Sequence, residues 1–378
     1  MRFDLSESER QFRDEIREFA DQYIAPTAQE RDEKDIYPTE IIKRMARKGY
    51  TTLTLPTTYG GMGKSRLEAC ILMEEVAYSC AATAVSLITI FQAQTMLMLY
   101  GNDLVKASVL PRFREGLIAS YALTESNRGS DIRHLETKAV LEGNEWVING
   151  RKTFITSGSA AEFFIVLAET PVGVSVFAVD ASLRGVRTEV GELSETFGLR
   201  NGPHLDLILD NVRVPVYHLV GTEGQGLKQA VTTLNNSRTL AAAISIGIAR
   251  AAYDYSLAWV NRRTAFDQKV FDFQGIQWTF ARMLTDINAA RLLTYRAATL
   301  LDRGDKAISE ASQAKFFAAT TATRVCADAI QVCGAFGTTV NAPLGRYLRD
   351  AKAYEIAGGS NEILLNTIAK EIKKAAVQ

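Results

Sequence analysis

Phe12, Ile16, Phe19 and Tyr23 recur at helical steps, so a single helix face carries all four side chains. Ser6 stands three residues before Glu9, the spacing of a capping box at the start of that helix, and Pro26 ends the pattern. Ile41, Ile42, Met45 and Ala46 mark a second, shorter helix closed by Gly49. Pro56-Thr57-Thr58-Tyr59-Gly60-Gly61 has loop composition, and long apolar helices are predicted over 67–100. Near residue 119 the pattern changes. Trp146–Gly150, Phe163–Leu167 and Val174–Val179 are short and rich in β-branched and aromatic residues. Leu205, Leu207 and Leu209 alternate with Asp206, Ile208 and Asp210, a period near two. Gly143-Asn144, Asn149-Gly150 and Asn201-Gly202-Pro203 are expected turns between these runs. From about 226 the helical period returns, in Leu227, Ala230, Val231, Leu234, Ala241, Ile244 and Ile248, then in Phe280, Met283, Leu284 and Ile287. The chain therefore divides into a helical segment (1–118), a β-barrel or β-sandwich segment (119–225) and a helical bundle (226–378), an α+β multidomain class.

Composition narrows the function classes. The 378 residues are 47% hydrophobic and 23% charged, ordinary for a soluble globular protein, and Lys plus Arg equals Asp plus Glu at 43 each. That balance offers no broad attraction for nucleic acid or an anionic membrane. The most apolar stretch, Ala81 to Tyr100, is interrupted by Ser86, Thr89, Gln92, Gln94 and Thr95, which predicts a buried helix and not a membrane span. The N-terminus has neither signal-peptide nor transit-peptide character. Cys70, Cys80, Cys326 and Cys333 form no CxxC pair, as expected of reduced core thiols in the cytoplasm. His134, His204 and His218 are scattered, and no metal-binding constellation is visible.

Six blocks stand out. Tyr121-Ala122-Leu123-Thr124-Glu125-Ser126-Asn127-Arg128-Gly129-Ser130-Asp131 opens the β segment. Gly150-Arg151-Lys152-Thr153-Phe154-Ile155-Thr156-Ser157-Gly158 and Phe197-Gly198-Leu199-Arg200 lie within it. Arg263-Thr264-Ala265-Phe266-Asp267, followed by Gln274, and Gln331-Val332-Cys333-Gly334-Ala335-Phe336-Gly337 lie in the last third. Arg349-Asp350-Ala351-Lys352-Ala353-Tyr354-Glu355-Ile356-Ala357-Gly358-Gly359-Ser360-Asn361-Glu362-Ile363 is near the end. In order and spacing these blocks resemble the acyl-CoA dehydrogenase family. The resemblance implies an N-terminal helical domain, a central β domain, a C-terminal four-helix bundle, and an FAD site. Tyr121, Leu123, Thr124 and Ser130 would contact the flavin or its ligand. Phe154 would lie beside the isoalloxazine ring and Thr156 near its N5. Arg263, Phe266, Gln274, Gln331, Gly334 and Ala335 would receive the FAD pyrophosphate and adenosine of a neighbouring subunit, since a guanidinium fork matches phosphate oxygens; a homo-oligomer, dimer or tetramer, follows. Ser360 and Glu362 would complete the cofactor end, and Ser130, Ser237 and Arg238 would meet substrate. Phe197–Arg200 reads as a structural turn with an ion-paired Arg200.

One departure is decisive. The family's catalytic carboxylate precedes Gly-Thr in its Tyr-Glu-Gly-Thr pattern, and Gly358 stands there. The alternative location, just before an Arg at the start of the bundle, is Ser237. Removal of an α-proton from a thioester needs a base close by, so Glu355 is the candidate, with ion pairing to Lys352 as its alternative role. The backbone N–H of Gly358 remains available for a thioester oxygen that gains negative charge. The reading is an FAD-dependent oxidation of an acyl thioester, carried by CoA or a carrier protein, with an electron-transfer flavoprotein as a possible acceptor. Flavin-dependent oxygenation or oxidation on the same fold, or a non-catalytic FAD-binding subunit, are the alternatives.

Overall fold

The structure is a computed structural model that describes residues 4–200, 202 and 204–376. Six helices come first: α1 (Glu7–Tyr23), α2 (Ala28–Lys34), α3 (Thr39–Lys48), α4 (Arg66–Ser79), α5 (Ala81–Tyr100) and α6 (Asp103–Val109). The capping box at Ser6 forms as the spacing predicts: Ser6 Oγ accepts from Glu9 N, and the Glu9 carboxylate accepts from Ser6 N at 2.6 Å. Phe12, Ile16 and Phe19 are buried, and removal of each from water contributes about 1.5–3 kcal/mol. Gly49 ends α3 in the left-handed conformation. Helix α2 has no apolar period to announce it, because its buried residues are Ala28, Arg31 and Asp32. The apolar run over 67–100 is two helices, broken where Cys80 is extended. Helix α5 is long and apolar enough to cross a membrane, but 83% of its apolar window is buried inside the protein, as a core helix would be.

Seven strands follow: β1 (Ala119–Ala122), β2 (Lys138–Glu142), β3 (Glu145–Ile155), β4 (Phe163–Thr170), β5 (Gly173–Asp180), β6 (Val186–Glu189) and β7 (Leu205–Pro215). They form one mixed sheet in the order β1-β4-β2-β3-β7-β6, with β5 also paired to β4. The sheet curls about its own core of Trp146, Ile148, Phe164, Val166, Phe177, Leu207 and Val212. Two expectations fail here. Asn149-Gly150 is not a turn but an irregularity inside the long strand β3, where the register to β7 shifts. Glycine is required there because a Cβ on Gly150 would lie 2.5 Å from Thr137 Oγ1. Along β7 the polar alternation does not mark a solvent face: Asp206 and Ile208 are both buried, and Asp206 pairs with Arg151 at 2.6 Å. Of the expected turn Asn201-Gly202-Pro203, the two outer residues lie outside the described residues.

The last third holds α7 (Gly226–Arg262), a hairpin of β8 (Thr264–Ala265) and β9 (Gln268–Lys269), then α8 (Gln274–Asp302), α9 (Ile308–Cys333), α10 (Leu344–Tyr354) and α11 (Asn361–Ala375). A large core joins α7, α8, α9 and α10 with α1, α4 and α5 and with one face of the sheet. Val231 and Leu284, expected on buried faces, are exposed. Their preceding neighbours Ala230 and Met283 take the core direction, and the next residue lies about 100° further round the helix. Buried charge ties α4 to the bundle: Glu74 accepts from Arg250, Arg291 and Tyr295, and Glu75 from Arg17 and Arg250.

Candidate active site

A buried ion pair fixes the first wall. Lys152 on β3 and Glu125 after β1 are both shielded from solvent and 2.8 Å apart. The Glu125 carboxylate also accepts from the backbone N–H of Glu136 at 2.6 Å and of Thr137 at 2.9 Å. Lys152 Nζ donates to Leu123 O at 3.2 Å, and Thr153 N to Thr124 O at 2.9 Å. Leu123 and Thr124 are thereby pinned to the strand that carries Phe154 and Thr156. Burial pushes the Lys152 amine down to about 8 despite Glu125. Burial raises the Glu125 carboxyl, but Lys152 and the hydrogen-bond donors outweigh it and hold the group below its usual range.

Phe154 adopts φ +54°, a left-handed conformation rare for an aromatic residue, and its side chain is 43% exposed. Ser157 is likewise left-handed; its Oγ accepts from Tyr37 Oη at 3.1 Å, and Ser120 Oγ donates to Thr156 O at 2.6 Å. The Thr156 hydroxyl and Ser130 make no side-chain hydrogen bond to a described residue. Tyr121 Oη is buried without a partner, and burial raises its phenol well above the ordinary range. An out-turned ring and an unbonded hydroxyl at the end of β3, with an orphaned phenol on β1, fit a planar, hydrogen-bonding cofactor such as a flavin.

The second wall is the segment from α10 to α11. Asp350 accepts from Leu199 N at 2.6 Å, and Arg349 donates to Phe197 O and to Asp32, each at 2.5 Å. A Cβ on Gly198 would lie 2.3 Å from Arg349 O, so the turn at Phe197–Arg200 docks by close backbone approach. The expected ion pair of Arg200 does not form with a described residue; Arg349 supplies the charge contact instead. Burial pushes the Asp350 carboxyl up to about 6, against the pull of Arg346.

Beyond α10 the chain turns through Gly358 (φ +71°) and Gly359 (φ +104°). A Cβ on Gly358 would meet nothing within 4 Å. Its N–H makes no hydrogen bond to a described residue. Lys315 on α9, fully buried, reaches the loop from beneath and donates to Gly359 O at 2.7 Å. Burial, with Arg238 close by, pushes the Lys315 amine down to about 7. Ser360 caps α11, whose N-terminus faces the loop, and Glu362 is exposed in its first turn. Glu355 pairs with Lys352 at 3.0 Å and accepts from Asn361 Nδ2 at 3.4 Å. Ser237 Oγ donates to Leu234 O at 3.0 Å and accepts from Gln92 Nε2 at 3.1 Å. Arg238 is buried beside Ser312.

The remaining predicted residues form a separate group. Arg263 leaves the helix as the extended C-cap of α7. Phe266 and Asp267, both with positive φ, make the two-residue turn of the β8–β9 hairpin, and Phe266 is 90% exposed. Trp259 stacks on Phe336 with ring centroids 3.8 Å apart, which joins the turn after α9 to the last turns of α7. Gln274, Gln331, Gly334 and Ala335 are exposed. No described contact joins this group to Phe154 or Gly358.

Sequence reasoning passed over Lys315, Gln92 and the Glu125–Lys152 pair. Lys315 did leave a signal: it occupies the face of α9 otherwise held by Ala311, Ala314, Ala318 and Ala322, where a charged residue is unexpected.

A helical domain, a curled sheet and a helical bundle, in that order, define a flavoprotein oxidoreductase architecture. Residues 6–116, 120–212 and 224–373 match the N-terminal, middle and C-terminal domains of acyl-CoA dehydrogenase, respectively. The chain is 36% identical over 369 residues to a probable acyl-CoA dehydrogenase, FadE25, of Mycobacterium tuberculosis, covering 96% of this chain and 94% of that one. The butyryl-CoA dehydrogenase of Megasphaera elsdenii superposes with TM-score 0.95 at 31% identity, over 98% of this chain and 100% of that one. The prolyl acyl carrier protein oxidase AnaB superposes with TM-score 0.93 at 26% identity, over 98% and 100%. The chain belongs to the acyl-CoA dehydrogenase family. It is an FAD-dependent oxidoreductase.

Proposed function

We propose that this protein oxidises a specialised acyl thioester between its α and β carbons. The observation that carries the reading is the Gly358 N–H, unbonded in an exposed loop that Lys315 holds from below. An N–H preset in this way, at the positive end of α11, suits a thioester oxygen that gains charge as the α-proton leaves. FAD, when bound, supplies the hydride acceptor. Leu123, Thr124, Phe154 and Thr156 would hold it on the sheet side, and Tyr121 and Ser130 complete that wall. Arg263, Phe266, Gln274, Gln331, Gly334 and Ala335 would serve the cofactor of a second copy, with Ser360 and Glu362 at the near end. The 90% exposed Phe266 supports a homo-oligomer, because an aromatic tip in water is disfavoured.

The base is Glu355 in this proposal, released from Lys352 when substrate enters. Relatives named for CoA thioesters and for a prolyl carrier protein support both carriers. A polar site at Gln92, Ser237 and Arg238 supports a short, polar acyl group over a plain fatty chain. A cytoplasmic location and electron transfer to a second flavoprotein accord with this chemistry. Oxidised holoenzyme should be mixed anaerobically with a panel of acyl-CoAs and matching acyl-carrier proteins. Bleaching of the flavin by at least one class is expected; no bleaching by any thioester would refute the reading.

A further inference from the structure

We infer that Tyr37, from the N-terminal helical domain, is a positioning residue for the flavin: its hydroxyl holds Ser157, and through Ser157 the turn that carries Phe154 and Thr156. The inference rests on the reading that this turn faces the flavin ring, and deepens it. Phe154 and Ser157 are both left-handed, at φ +54° and +65°. Two such residues close together are disfavoured wherever a Cβ is present, and they persist only when the surroundings hold them. Part of the hold comes from the sheet and the turn itself. Ser120 Oγ donates to Thr156 O at 2.6 Å, and Gly158 N donates to Ile155 O at 3.0 Å. The Ser157 side chain has a single hydrogen-bond partner among the described residues, Tyr37 Oη at 3.1 Å.

The segment between α2 and α3 places Tyr37 for this task. Asp35 ends α2 in the left-handed conformation and accepts from Gly202 N at 2.9 Å. A Cβ on Gly202 would lie 3.1 Å from Tyr37 Cβ and 2.9 Å from Ser159 Oγ, so the backbone at 202 closes directly on the tyrosine. Pro38 follows at the start of α3, and a residue before proline has a restricted backbone. Burial raises the Tyr37 phenol above its ordinary value, and the hydroxyls of Ser157 and Ser86 draw it back in part. Ser86 lies on α5, so the Tyr37 hydroxyl stands where the helical domain meets the sheet. A phenylalanine would fill the same volume but leave Ser157, which is 5% exposed, without its partner in a dry place. The N-terminal domain thereby shapes a cofactor wall whose proposed contact residues all lie at 121 or beyond.

Two measurements on flavin-free protein test the role without turnover: titration with FAD, and amide hydrogen exchange across residues 154–158. Tyr37→Phe keeps the ring and removes only the hydroxyl. It should weaken FAD binding about five- to tenfold and speed exchange in the turn by a similar factor, as expected for loss of one buried hydrogen bond. Ser157→Ala should do the same. The double variant should be no worse than the more affected single variant, because both changes remove one bond. Unchanged exchange in Tyr37→Phe, unchanged FAD affinity where Thr156→Val weakens it, or losses that add in the double variant overturn the inference. Should Tyr37→Phe not fold, Ser157→Ala decides by the same two readouts. Failure of the broader reading looks different: exchange in the turn quickens, but FAD affinity stays unchanged in Tyr37→Phe and Thr156→Val alike, which would show that the turn does not face the flavin.

Discussion

Lys315 Nζ donates to the carbonyl oxygen of Gly359 at 2.7 Å, from a side chain with no solvent exposure. This bond sets the path of the loop that presents Gly358. Its proton has a free-energy consequence. The folded-state amine sits at about 7, below its ordinary value of 10.5. Between these values the unfolded chain binds the proton that the folded chain lacks, so the contribution of Lys315 to stability rises with pH from about 7 upward. The slope approaches about 1.4 kcal/mol per pH unit. Lys315→Met lacks that slope, so the stability of wild type relative to the variant, from urea unfolding curves, should rise from pH 7 through 8 to 9. A pH-independent difference would contradict the assignment.

Lys152 and Glu125 neutralise one another in the interior. Replacement of one partner leaves the other buried and uncompensated, so Glu125→Gln or Lys152→Met should each cost about 3–5 kcal/mol. The pair holds Leu123 and Thr124 in place. Flavin content after purification should therefore fall together with thermal stability. Retention of full flavin occupancy by either variant would show that the pair is structural only.

Phe154 combines a strained backbone with an exposed ring. Phe154→Gly should relieve about 1 kcal/mol of conformational strain in the flavin-free protein and at the same time weaken flavin binding. Denaturation of the apoprotein and a flavin titration should move in opposite directions. A loss in both would mean that the ring stabilises the fold itself.

Much of this was legible in the sequence, and the failures have causes. Phe12, Ile16 and Phe19 gave α1 away because only one of its faces is buried. Gly49 and Ser6 marked helix ends because the cap geometry demands those residues. Helix α2 was invisible because charged and small residues fill its inner face. Asn149-Gly150 misled because a glycine that admits Thr137 inside a strand has the same composition as a turn. The blocks at 121–131 and 150–158 pointed to one wall of the site, but the Glu125–Lys152 bond between them is a tertiary fact that spacing cannot encode. Lys315 reaches Gly359 across 44 residues for the same reason.

Glu355 and Gly358 can be separated by mutation. Glu355→Gln should slow flavin reduction by about a hundredfold or more if the residue removes the proton. A rate within twofold of wild type would remove it from that role. Gly358→Glu places a carboxylate in open space, against a backbone cost of about 1 kcal/mol at φ +71°. Rapid-mixing experiments should find that it accelerates oxidation of unsubstituted acyl thioesters.

The proposed chemistry is a two-hydrogen oxidation of an acyl thioester beside the Gly358 N–H. Single-turnover mixing of oxidised holoenzyme with the best-binding thioester, under anaerobic conditions and with mass analysis of the quenched acyl group, tests it most directly. One equivalent of a product lighter by two hydrogens for each flavin reduced is the expected result. Reduced flavin with an unchanged acyl group, or an oxygenated product that forms only when air is admitted, would contradict it.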